Sequence, residues 1–212
     1  FNLAGYTQTG PLASGVNLTL EQCAACGPDA SAALRVAAVY PTDNGAYRVA
    51  LVNNAWTYDP ASAGALATVD AQVDKRVLLN FDTANGLGNS FRPLIVQGGQ
   101  FYAALLLGPT IFVQDAGWAG IAGSGLTAAS FTLYDMASGT FGVGSPDFAG
   151  APMGFGLLQL GSRSGPFTDS LVEADYDNLV FTLSAVPEPQ RWALLAAGLG
   201  AVARLARRRR PG

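Results

Sequence analysis

Ten short runs of β-branched, aromatic and leucine residues, each bounded by glycine, proline or polar residues, dominate residues 1–185 and leave little room for helix. They are VNLTL (16–20), LRVAAVY (34–40), AYRVALV (46–52), RVLLNF (76–81), PLIVQ (93–97), FYAALLL (101–107), TIFVQ (110–114), SFTLYD (130–135), MGFGLLQL (153–160) and NLVFTLS (178–184). Such runs, without helical periodicity, are the signature of short β-strands. Asn-Gly in TDNG (42–45) and Gly-Gly in QGGQ (97–100) supply the positive-φ positions of tight turns, so both pieces predict hairpins. The spacing predicts an all-β body over residues 1–185, an antiparallel β-sandwich or jelly roll. No fixed-period repeat points to a solenoid or propeller.

Charge divides the chain in two. Residues 1–186 hold six cations against fourteen acids, whereas residues 187–212 hold six arginines against Glu188 alone. The acidic body lacks a basic stripe with interleaved aromatics, which argues against nucleic-acid binding. In the tail, WALLAAGLGAVA (192–203) is free of charge and is followed by Arg207, Arg208, Arg209 and Arg210. Twelve helical residues cover roughly 18 Å against about 30 Å of hydrocarbon, too short for a self-sufficient anchor. Pro187 and Pro189 bar the helix from extending backwards. Clustered arginines after an apolar run stay cytoplasmic, which places the body on the outer side of the inner membrane. The start, FNLAGYTQTG, has neither a charged nor an apolar signal region, so a removed secretory signal or a fragment is expected.

VPEP (186–189), the Trp-led apolar run and the terminal arginines, in that order, resemble the PEP-CTERM sorting signal of Gram-negative bacteria. The resemblance covers residues 186–212. It implies that Pro187, Glu188 and Pro189 are read by a membrane-embedded exosortase, which cuts near them and discards the short transmembrane helix and the arginines. It also implies export, transient insertion in the inner membrane, release to the cell surface or outside, and an association with exopolysaccharide and biofilm. Four stretches, WTYDPASAGALATVDAQVDKR (56–76), RPLIVQGGQFYAA (92–104), PDFAGAPMGFGLLQ (146–159) and DYDNLVFTL (175–183), are similar to the concanavalin-like jelly-roll bodies often joined to such tails. That second resemblance implies carbohydrate contact.

The chemistry that remains is sparse. With no histidine, Ser-His-Asp and Cys-His machinery and the common zinc sites are absent in their usual forms. No glycine-rich loop has a Walker or dinucleotide pattern. Lys75, the single lysine, stands beside Arg76 and reads as part of a solvated turn. Cys23 and Cys26 in CAAC read as a short-loop disulfide, beside the alternatives of a redox pair or free thiols.

Glu173, Asp175 and Asp177 in VEADYDN share one face of an extended segment. They admit three readings: a glycan-active hydrolase using two carboxyls, a calcium site completed by Asn178, or a solvated turn before the last strand. Trp118 in the glycine-rich DAGWAGIAG, Tyr102, and Trp56 with Tyr58 before DPASAG are the candidate sugar-stacking aromatics. Trp118 reads as lying in an exposed loop and Trp56 as leaning toward the core. Taken together, the expected role is a glycan-binding or structural surface protein, with a glycan-active enzyme as the alternative.

Overall fold

The computed structural model describes residues 1–41, 44–80, 88–106, 117–164 and 170–186. Within them twelve strands form two antiparallel sheets. They are β1 (Tyr6–Ser14), β2 (Asn17–Cys23), β3 (Ala33–Tyr40), β4 (Asn44–Tyr58), β5 (Leu66–Asn80), β6 (Gly88–Gln97), β7 (Gln100–Ala104), β8 (Ala119–Leu126), β9 (Phe131–Asp135), β10 (Thr140–Phe141), β11 (Met153–Ser164) and β12 (Ser170–Ala185). One sheet has seven strands in the order β1-β4-β11-β6-β7-β9-β10, and the other has five in the order β2-β3-β12-β5-β8. The body is a β-sandwich.

Alternation decides what is inside. In β3, Leu34, Val36, Ala38 and Tyr40 are fully buried, while Arg35, Ala37 and Val39 face away. From the other sheet, Tyr47, Val49 and Leu51 of β4 and Leu157 of β11 meet them across the gap. Such period-two patterning fixes register, because a one-residue slip would turn the apolar set to water.

Strand β12 shows how the pattern is reset part-way. Val172, Ala174 and Tyr176 face the core, and continued alternation would send Val180 and Thr182 after them. The pairing with β5 shifts between Asp177 and Val180 instead, and Asn178 takes a positive φ of 49°. Asparagine is among the few residues that adopt this conformation readily. The bulge turns Leu179, Phe181 and Leu183 inward.

One turn expectation holds here and several others change. The Gly98–Gly99 turn joins β6 to β7 as a hairpin, with both glycines at positive φ. The strands flanking TDNG, β3 and β4, belong to different sheets and do not pair as a hairpin; Thr42 and Asp43 lie outside the described residues. DAGWAGIAG is not all loop: from Ala119 it becomes β8, which pairs with β5 and stands last in its sheet among the described residues. Lys75 is not in a solvated turn. It alternates in phase with Val73 and Val77 on β5, is 4% exposed, and lies with its ammonium 5.5 Å from the centroid of the Tyr176 ring. The strand β1 was not expected, since Gly10 and Pro11 interrupt it.

No helix among the described residues is long and apolar enough to cross a membrane. The sorting tripeptide Pro187–Pro189, the apolar run and Arg207–Arg210 lie outside the described residues, as does TIFVQ (110–114).

Candidate functional site

A hollow of about 670 Å³ opens at the end of the sandwich where β1, β4 and β12 come together. Its shape comes from a break in β4. Val52 pairs with Gly156 of β11 and Thr57 with Gly154, so Asn53–Trp56 bulges out opposite a single residue, Phe155. Gly156 permits this: a β-carbon there would overlap the Leu51 carbonyl oxygen. The bulge is held by Asn53, whose Oδ1 accepts from the Ala55 amide, and by Thr7, whose hydroxyl donates to Asn54 Oδ1 at 2.6 Å.

Aromatic rings run from the mouth of this cleft into the core. Phe1 stacks on Tyr6 with centroids 4.7 Å apart, Tyr6 meets Trp56 edge-on at 6.1 Å, and Trp56 meets Phe181 at 5.8 Å. Trp56 is half-buried and also lines an adjoining hollow of about 410 Å³ with Phe155, Phe181 and Leu183. Asn2, Asn53, Asn54 and Asn178 add amide groups around the rings. Burial raises the Tyr6 hydroxyl pKa, and the Asn53 amide partly offsets it. Asp177 closes the floor. Burial opposes its ionisation, but the Ser31 hydroxyl at 2.6 Å, the Phe1 ammonium and the Asn178 backbone N–H outweigh burial and hold its pKa below the usual range.

On the outer face of the five-stranded sheet, the spacing of two brings Glu173, Asp175 and Asp177 to one side. There they are drawn into ion pairs. Asp175 is fully buried and accepts from Arg35 Nε at 2.9 Å, Arg35 Nη2 at 3.2 Å and Arg76 Nη2 at 2.7 Å. Glu173 lies 3.2 Å from Arg35. The segment is therefore the middle of β12 and not a solvated turn. These donors do not fit calcium: guanidinium groups take the Asp175 oxygens, an ammonium and a hydroxyl take those of Asp177, and Asn178 donates its amide to Asp74. Among the described residues no group of three or more His, Cys, Asp or Glu side chains is arranged to hold a metal ion. The same geometry leaves Asp175 without a face toward a substrate.

Cys23 and Cys26 are joined in a disulfide, and its loop folds over this network. Arg35 donates to Cys26 Sγ and Arg76 to the Cys26 carbonyl. Trp118 is half-buried over the Arg76 guanidinium, 5.1 Å from its centre, and so caps the network. Tyr102 is 8% exposed and donates to Gln100. Tyr58 binds the Ala63 and Gly64 carbonyls, closing the short helix Pro60–Ala63 (α1) that Asp59 caps. Of the four aromatic candidates, Trp56 alone lines the large cleft. Tyr6, Asn53 and Asn54 escaped sequence reasoning, although two asparagines inside a strand-forming run were a signal, since asparagine is depleted in strands.

No protein-family description matches the chain, and no curated protein does. Among solved structures it is similar to a carbohydrate-binding module of the β-sandwich superfamily, at 10% identity and a TM-score of 0.43 over 85% of this chain. It is also similar to an exo-β-agarase, at 10% identity and 0.42 over 84%, and to a mannan-recognising carbohydrate-binding module, at 12% and 0.37 over 85%. The chain spans 58% of the length of the first, 24% of the second and 90% of the third.

Proposed function

We propose that this protein binds an uncharged glycan in the Trp56 cleft and is delivered to the cell surface or matrix by its C-terminal sorting signal. The observation that carries the reading is the make-up of the cleft. Trp56 and Tyr6 offer apolar rings to the C–H faces of a sugar, and the surrounding asparagines offer paired donors and acceptors to its hydroxyls. Among the described residues no lysine or arginine lines it, and its one carboxylate, Asp177, is already paired with the Phe1 ammonium, so the lining offers an acidic sugar no spare cation. The partner is extracellular polysaccharide, and the role is binding within a surface layer or biofilm.

The test is affinity electrophoresis of the full chain in gels containing neutral polysaccharides, including the host's own. Retardation is expected, and Trp56→Ala should weaken it by about 2 kcal/mol or more, roughly thirtyfold. Retardation by no neutral polysaccharide, or full retention of binding in the variant, refutes the reading. New reducing ends that vanish in Glu173→Gln would favour a glycan-active enzyme. For the sorting signal, the intact mass of protein from its host decides. A chain ending near Pro187–Pro189 supports exosortase processing, and a full-length membrane-bound chain opposes it.

A further inference from the structure

We propose that the outer face of the seven-stranded sheet carries a second site, which binds the anionic group of a charged glycan. It does not rest on the Trp56 cleft. Arg48 on β4 and Asn54 in the bulge are six residues apart, which along an extended strand is about 20 Å. The second site is a hollow of about 250 Å³ lined by Arg48, Ser90, Tyr134, Leu160, Gly139 and Ser162, with flanking backbone.

Three strands build its floor in register. Arg48 of β4 lies opposite Leu160 of β11, and Leu160 lies opposite Ser90 of β6. Arg92 follows two residues after Ser90 and therefore faces the same side. The turn after β9 arches over this face and forms the wall: Arg48 donates through Nε to the Met136 carbonyl and through Nη2 to the Ala137 carbonyl. The arch also explains why Leu94, Leu158, Tyr134 and Met136 are buried on the outside of the sheet.

What the wall and floor leave over is a set of unused donors. Arg48 Nη1 faces Gly139, where a β-carbon would sit 2.6 Å away, so the missing side chain keeps that nitrogen open. Arg92 lies over the Phe141 ring, 4.7 Å from its centroid, and its buried Nε has no hydrogen-bond partner. Among the described residues neither Arg48 nor Arg92 is in a salt bridge, whereas Arg35 and Arg76 on the opposite sheet are both paired to carboxylates. The Tyr134 hydroxyl lies in the field of both Arg48 and Arg92. Asp135 is the acid that Arg48 acts on; it is exposed and its oxygens accept from the Ser138 hydroxyl and the Ala137 amide. Arg48 in the lining and Arg92 beside it, both outside any salt bridge among the described residues, with the apolar Leu160 between the strands, suit a carboxylate or sulfate ester with the sugar ring that bears it.

The experiment is affinity electrophoresis of the full chain in polygalacturonate, dextran sulfate and uncharged dextran. Ser162→Glu puts a negative charge on the exposed rim without touching the core, and Arg92→Gln removes one cation. Retardation by polygalacturonate that weakens at least about tenfold in both variants, with an unchanged melting temperature for Ser162→Glu, is expected. The same pattern with dextran sulfate alone supports the site and assigns it a sulfate ester. The Arg207–Arg210 cluster would also retain a polyanion, and that retention would survive Ser162→Glu. Survival, or no retardation by either polyanion, overturns the proposal.

Discussion

Asp175→Asn removes the charge at the centre of the outer-face network while keeping the shape of the side chain. The carboxylate is fully buried on the middle strand of its sheet and binds guanidinium groups from both neighbouring strands. Removing one partner of a buried pair costs about 3–5 kcal/mol, because the remaining charge stays desolvated. Here Arg35 and Arg76 keep 24% and 27% of their side-chain surface, and Glu173 stays beside Arg35, so the lower end applies. A loss of about 3 kcal/mol corresponds to a fall in Tm of roughly 6–12 °C for a chain of this size. Urea unfolding, followed by far-UV circular dichroism and tryptophan fluorescence with and without calcium, measures it. A loss below about 1 kcal/mol would show that the pairs contribute little beyond their own desolvation. A loss seen only with calcium present would make the carboxylate a cation ligand and refute the ion-pair account. In the variant that also carries Arg76→Met, the two losses should fall short of additive by about 1–3 kcal/mol.

Three further outcomes follow from the same interior. Burial lowers the Lys75 pKa from 10.5 to about 8, so the folded state sheds this proton before the unfolded state does. Stability from this group therefore rises between pH 8 and 10.5, by up to about 3 kcal/mol. The difference between wild type and Lys75→Met should change by that amount across the window, and a difference independent of pH would contradict it. Gly156→Ala should cost about 2 kcal/mol or more by pushing β4 off β11. It should also weaken glycan retardation, because the Asn53–Trp56 bulge moves with it; intact binding at reduced stability would separate the two. Replacing Cys23 and Cys26 by serine should cost about 2 kcal/mol for so short a loop. That loss should shrink in the Asp175→Asn background, where the arginines that grip Cys26 have lost their anchor; equal losses would mean that the loop and the network are independent.

The parts legible in the sequence were those that local pattern determines. LRVAAVY reads as a half-buried strand because every second residue is apolar, and β3 is that strand. QGGQ reads as a tight turn because only glycine takes those angles cheaply. The spacing in VEADYDN correctly put three carboxylates on one face. It could not say whether that face is wet, because the partners that dry it stand 140 and 99 residues away. Lys75 misled for the same reason: beside Arg76 it looks solvated, and only the phase set by Val73 and Val77 turns it inward. The strand around Arg48 was legible too, but not the arch from β9 that gives the arginine its carbonyl partners.

The cleft lies where alternation fails twice. Asn53–Trp56 interrupts β4, and Asn178 interrupts β12, and both interruptions line the same hollow. A regular sandwich has no reason to hold a cleft at its end, since paired strands bury their side chains and satisfy their backbones. An extra residue frees side chains from the ladder and aims them elsewhere, which is why bulges gather beside functional sites. On β4 the freed residues are two asparagines and a tryptophan, and on β12 an asparagine beside an ionised aspartate. Those residue types suit a polar ligand with one apolar face better than they suit a core. The asparagines that weaken each strand as a strand are the groups on which the proposed glycan cleft rests.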